Sequence, residues 1–309
     1  MGARGAGRYA GGMRGDGDGW VRCQMGHRHW GRHSAAGLLA CHTDAGGTVH
    51  VLLQQRSWLS HHGNTWGVPG GARDSDETAQ QAAMREAVEE AGIDPLSLRV
   101  FGNLDDPHGG WSYTTVLAAA PSLLPVTATW ESHQLRWVPA DDVDALQLHP
   151  GFADSWPELR RHLRPVRLVV DAANVVGSRP DGWWRDRAGA AARLRDQLVR
   201  LAERGIPADA LPEPVAAEAG DPGGKAVIYP EIVMVVEGKA RQVADEPSGH
   251  PAVRVVAAPG EGDDEIVRQA SEPGAAVVVV TADRALRARV QEVGATAVGP
   301  SWLLSLAER

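Results

Sequence analysis

The chain has 309 residues, about twice an ordinary single domain, so two cores are expected rather than one. Its 43% hydrophobic and 23% charged fractions fit a soluble globular chain; no apolar run approaches the roughly 18 residues that span a bilayer, and two cysteines, Cys23 and Cys41, exclude a disulfide scaffold and suit a reducing cytoplasm. The 31 basic and 39 acidic residues give a formal charge of −8, which excludes a broad electrostatic grip on nucleic acid; any phosphate ligand needs local help.

Residues 1–18 are rich in Gly and Arg, with little to bury and no apolar export signal, and read as a disordered arm. Residues 19–164 carry short β-like runs, AAGLLAC, VHVLLQQ, YTTVLAAA and QLRWVP, around one strong helical segment at 76–91, the pattern of an α/β domain with a mixed sheet. Pro165 marks a seam. Residues 165–309 alternate apolar runs, RLVVDAANVV, EIVMVVEG, VRVVAAPG and AVVVVTAD, with helical segments at 185–204, from 263 onward and at 285–293. That alternation indicates βαβ units around a parallel sheet. Residues 206–225, aperiodic and rich in Pro, Gly and Ala, read as a mobile loop inside this second domain.

The most informative segment is GARDSDETAQQAAMREAVEEAGI, from Gly71 to Ile93. At 3.6 residues per turn, Glu86, Glu89 and Glu90 project from one helical face, and three acids so placed repel one another unless a cation neutralises them. A hard divalent ion with oxygen ligands, Mg²⁺ or Mn²⁺, is the natural one, and backbone carbonyls of the turn at Gly70 and Gly71 are available to complete its shell. Ala83, Ala87 and Ala91 recur every four residues and let the helix approach a sheet closely. Arg85, four before Glu89 and within reach of Glu77, reads as an orienter of carboxylates rather than a substrate contact.

Gly71, Glu77, Arg85, Glu86, Glu89, Glu90, Gly92 and Ile93 match a complete Nudix box in identity and spacing, and over about residues 20–160 the chain resembles the Nudix hydrolases. The resemblance implies an α/β/α sandwich with a mixed sheet. It also implies Mg²⁺- or Mn²⁺-dependent hydrolysis of a nucleoside diphosphate linked to another group, with Glu86, Glu89 and Glu90 as metal ligands. Glu90 and Glu131 are both candidates for the base, Glu131 because it precedes the strand LRWVP where MutT-like members carry a distal acid; it reads equally well as a solvated loop acid.

Other residues of this domain carry weaker signals. Cys23, His27 and His29 have a spacing that would suit zinc, but no fourth ligand is evident beside them, so they read as a surface cluster and no metal is assigned there. His61 and His62 read as exposed turn residues, and Trp66, Trp111 and Trp137 as strand aromatics packed in the core.

In open parallel sheets, ligands gather beyond the carboxyl ends of the strands. Asp171 with Asn174, Glu237, the pair Asp263 and Asp264, and Asp283 all follow apolar runs there. The succession VVDAANVV, GEGDDEIV and VVTADRAL resembles the NYN branch of the PIN-like ribonucleases. That resemblance implies a Rossmann-like parallel-sheet fold and metal coordination by Asp171, Asp264 and Asp283 with Asn174 assisting, while Glu237 stands where many relatives carry Asp. Trp183 and Trp184 read as a buried pair at a helix entry.

The leading expectation is a Nudix pyrophosphohydrolase fused to a PIN-like domain that binds or cleaves RNA. The alternatives are a nucleotide sensor and RNA binder without turnover, and coupled processing of an RNA 5′ end. A nucleotide partner is expected; the sequence leaves the particular substrate and the oligomeric state open.

Overall fold

The computed structural model describes residues 15–58, 62–128, 132–179, 182–216 and 225–307. A small antiparallel hairpin, β1 (Trp20–Arg22) with β2 (Arg28–Trp30), precedes a mixed sheet. That sheet contains β3 (Ala35–Thr43), β4 (Val49–Arg56), β5 (Trp66–Gly67), β6 (Gly70–Ala72), β7 (Arg99–Pro107), β8 (Ser112–Ala119) and β9 (Ser132–Pro139). β3 runs parallel to β8 and antiparallel to β4 and β6, and β9 flanks β4.

The run AAGLLAC is continuously buried because β3 is covered on both faces. Strand alternation sends Ala36, Leu38 and Ala40 one way, into a core with Ala82, Ala83, Ala87 and Ala91 of helix α1 (Ala79–Ala91). It sends Leu39 and Cys41 the other way, toward Val51, Leu53 and Trp156 of helix α2 (Pro150–Leu159). The first helix starts at Ala79 rather than near 76 because Thr78 caps it: its hydroxyl accepts from Gln81 N at 3.2 Å, while Gln81 Oε1 accepts from Thr78 N at 2.8 Å. Gly92, at φ 67°, ends it in the left-handed conformation.

Beyond the seam, β10 (Val166–Asp171), β13 (Glu231–Val236), β14 (Val253–Ala257), β15 (Ala276–Val280) and β16 (Thr296–Val298) form a second sheet, wholly parallel, in the order β14-β13-β10-β15-β16. Helices α3 (Ala172–Gly177), α4 (Arg187–Arg204), α5 (Gly262–Ala270), α6 (Arg284–Glu292) and α7 (Pro300–Ala307) accompany it. No helix among the described residues is long and apolar enough to cross a membrane.

Two expectations change here. The stretch at 206–225 is not simply a loop: β11 (Ile206–Pro207) pairs with β12 (Ala226–Ile228), and β12 adds to the outer edge of β7, so this part of the chain completes the first sheet. The apolar residues Ile206 and Ile228, both buried, supply the reason that Pro and Gly content conceals. The arm also gains order at its end, where Asp16 accepts from Ser75 N and Oγ at 2.9 and 2.6 Å and Gly17 N donates to Asp74 at 2.8 Å; residues 1–14 lie outside the described residues.

Candidate active site

The glutamate-bearing helix α1 follows β6 through a turn that brings its acids to Gly70 and Gly71. A Cβ placed on Gly71 would lie 2.5 Å from Glu86 Oε1, so only glycine lets that carboxylate pack against the backbone. Arg85 reaches both ways along the helix. Its Nε and Nη2 donate to Glu77 at 2.7 and 2.9 Å, Nη1 donates to Glu86 at 2.7 Å and lies 3.6 Å from Glu89, and Nη2 also donates to the Ala72 carbonyl. The guanidinium beside Glu77 holds that carboxyl below the usual range against the opposing effect of burial, and Arg85 is correspondingly raised.

Glu90 turns inward. Its Oε2 accepts from Gly70 N at 2.8 Å and from Gln54 Nε2 at 2.9 Å, and Gln54 Oε1 in turn accepts from the Ser132 hydroxyl at 2.6 Å. Glu89 is the solvent-facing member, its side chain 59% exposed. The structure therefore corrects the idea that only a divalent ion makes the trio tolerable: Arg85 neutralises Glu86, and fixed donors satisfy Glu90. The three acids nonetheless offer hard oxygen donors, the type Mg²⁺ or Mn²⁺ takes, near Gly70 and Gly71, which the structure places in strand β6 rather than in the turn expected; their oxygens are not drawn together as closely as the side chains of Cys23, His27 and His29. Tyr113, whose hydroxyl occupies the space left by Gly37 and Gly70, is pushed up by burial and then by the charge of Glu90.

Gln54 and Ser132 escape the sequence reading; the available signal is a polar residue within the apolar run VHVLLQQ. Glu131 and His61 lie outside the described residues. Trp66 is buried, whereas Trp111 and Trp137 are half-buried, with indole N–H groups that donate to the carbonyls of Gly31 and Leu124.

At the second sheet, Asp171, Asn174, Glu237 and Asp263 line one cavity at the carboxyl ends of β10 and β13. Asp171 is buried, caps α3 by accepting from Asn174 N at 3.0 Å, and accepts from the Thr281 hydroxyl at 2.9 Å. Burial pushes Asp171 above the usual carboxylate range, and burial followed by the charges of Asp283 and Asp171 does the same to Asp263. Asp264 does not join them. On α5, Asp263 shares a face with Ile266 and Ala270, while Asp264, one residue or about 100° further round, points outward and pairs with Arg289. Asp283 is exposed and caps α6 through Leu286 N at 2.9 Å. Trp184 is 58% exposed, contrary to the buried pair expected, and Arg187 lies over Trp183.

The NUDIX domain family model matches residues 31–160. A protein of Mycobacterium tuberculosis named putative 8-oxo-dGTP diphosphatase 3 is 50% identical over 169 residues, covering 52% of this chain and 77% of that protein. A nucleoside triphosphate pyrophosphatase/Nudix hydrolase fusion protein of Bifidobacterium longum is 40% identical over 152 residues, which is 48% of this chain and 32% of that protein. The crystal structure of RenU, a Nudix hydrolase from M. smegmatis, has 48% identity, covers 47% of this chain and 94% of that chain, and has a TM-score of 0.44. With half of the aligned positions identical across about three quarters of the tuberculosis protein, and a family match that encloses the glutamate helix, this chain belongs to the Nudix hydrolase family.

Proposed function

We propose that the chain is a divalent-cation-dependent pyrophosphohydrolase of nucleoside triphosphates, with Glu86, Glu89 and Glu90 holding the ion and Arg85 positioning the acids. The observation that carries this reading is the fixed carboxylate arrangement: Glu86 clamped between Arg85 and Gly71, and Glu90 locked by Gly70 N and Gln54. A bound Mg²⁺ would offset charge on the pyrophosphate and make an attacking water more acidic. Glu90 and Glu131 are the candidates to accept the water's proton, and the pH–rate profiles of their glutamine variants distinguish them. The name of the tuberculosis relative makes 8-oxo-dGTP the first substrate to try.

The test is a nucleotide panel with the full chain and Mg²⁺. Release of monophosphate and pyrophosphate is expected, and Glu89→Gln should lower kcat by about 100-fold or more, on the scale of losing a preorganised electrostatic contact. Equal rates in the variant and the parent would reject the assignment.

For the second sheet we propose a PIN-like, NYN-type unit acting on RNA. Its support is the convergence of Asp171, Asn174, Glu237 and Asp263 in one cavity at the point where strand order reverses around β10. In this reading Asp263 takes the place first given to Asp264. Asp171→Asn and Asp263→Asn should abolish Mn²⁺-stimulated cleavage of single-stranded RNA. A parent chain that binds RNA without cutting it would leave the binding role alone.

A further inference from the structure

We propose that Cys23, His27, His29 and His108 hold one Zn²⁺ that staples the N-terminal hairpin to the turn between β7 and β8. The turn after β1 is closed by Cys23 N donating to His27 O at 3.0 Å and Gly26 N donating to Cys23 O at 2.9 Å, with Gly26 at φ 84°. It returns His27 beside Cys23, and one ligand atom from each of Cys23, His27 and His29 lies within 4.8 Å of the others. Tetrahedral zinc, with bonds of about 2.0–2.3 Å to nitrogen and sulfur, sets its donors roughly 3.3–3.8 Å apart, so a small settling of side chains closes the set.

The fourth ligand that the sequence conceals is distant in the chain. His108 brings its ring to 4.8 Å from that of His29 and 6.3 Å from that of His27, centroid to centroid. Two ring nitrogens here, Nε2 of His29 and Nδ1 of His108, are buried without a hydrogen-bond partner. A buried polar atom left unpaired forfeits the hydrogen bond that water would give it, a loss that coordination removes. His108 Nε2 lies 3.0 Å from Asp106 Oδ2; a proton placed on Nε2 donates there and leaves Nδ1 with the lone pair a metal needs. The His29 ring is fixed by stacking on Trp111 at 4.1 Å, and Trp111 Nε1 donates to Gly31 O. Gln24 N donates to Gly109 O at 2.9 Å, so the two turns already meet at their tips. A thiolate with three imidazoles selects zinc over the hard ions suited to the glutamates.

The role is structural. The stapled segment carries Asp16, Gly17 and His33 onto Ser75, Asp74 and Arg73, at the start of the glutamate motif.

Elemental analysis of the purified full chain should find one equivalent of zinc, and Co²⁺ substituted for it should show a thiolate charge-transfer band with tetrahedral d–d absorption. Cys23→Ser should lose that band and Glu89→Gln should keep it. Asp106→Asn should weaken zinc binding about 10–100-fold, the usual effect of removing a carboxylate behind a ligating imidazole. A zinc-free parent chain whose cobalt spectrum is octahedral overturns the proposal, and that measurement does not depend on any variant folding. An unchanged thiolate band in Cys23→Ser overturns it as well, and unchanged metal affinity in His108→Asn overturns the fourth ligand.

Discussion

The acids on α1 differ in what holds them, and this separates their variants. Glu89 is exposed, so Glu89→Gln should leave the unfolding midpoint unchanged while turnover falls. Glu90 accepts two donors inside the protein, and Glu90→Gln replaces a charged acceptor by a neutral one at a cost of about 1–2 kcal/mol, measurable by urea unfolding. Glu77 adds a pH signature. Its folded pKa lies below the ordinary glutamate value, so the unfolded chain binds more protons in that window and stability rises with pH there. The contribution is fully present above the unfolded pKa and is lost as pH falls through the folded one. Glu77→Gln should therefore destabilise by about 1–3 kcal/mol at neutral pH, with the gap to the parent closing on acidification. The pairing of Arg85 with Glu89 was legible from helical spacing, and that with Glu77 from the turn just before the helix. Gln54, Ser132 and His108 were not, because each acts on residues tens of positions away and only the sheet brings them together.

Elements set where such side chains point. Thr78 and Gln81 form a reciprocal cap, so Thr78→Ala should cost about 1 kcal/mol without changing the chemistry, as chemical unfolding beside a kcat measurement would show. Gly71→Ala should do the reverse. The added Cβ would meet the flexible end of Glu86, which can move at little cost to the fold, and a displaced carboxylate is expected to lower kcat about 10–100-fold with a nearly unchanged midpoint. Helical geometry also explains why Asp263 and Asp264 are hard to tell apart in sequence: adjacent residues in one acidic run take opposite roles once Ile266 and Ala270 decide which face is buried. The parallel strands were readable as apolar runs, since both of their faces are covered.

At the scale of the whole molecule, composition placed a seam at Pro165, yet burial does not stop there. A single cluster of buried residues runs from Leu39, Phe101 and Trp156 through Leu163 and Val166 to Ile206, Ile228 and Val280. Backbone pairing crosses as well: Ala226, Val227 and Ile228 face Leu104, Asn103 and Gly102, while Asp105 N donates to Lys225 O and Tyr229 N to Phe101 O. Cutting after residue 164 would strip those partners and leave the outer edge of β7 with unpaired N–H and C=O groups, a template for association with other chains. It would also open the shared apolar cluster to water, at about 25 cal/mol per Å² of apolar area exposed. A chain ending at residue 164 should therefore melt well below the full protein or self-associate in analytical ultracentrifugation, whereas the full chain should unfold in one transition seen alike by tryptophan fluorescence and far-ultraviolet dichroism. A monomeric fragment with the full chain's melting temperature would show instead that the first sheet needs nothing from residues beyond the seam, and the strand added by Ala226–Ile228 would then contribute no stability.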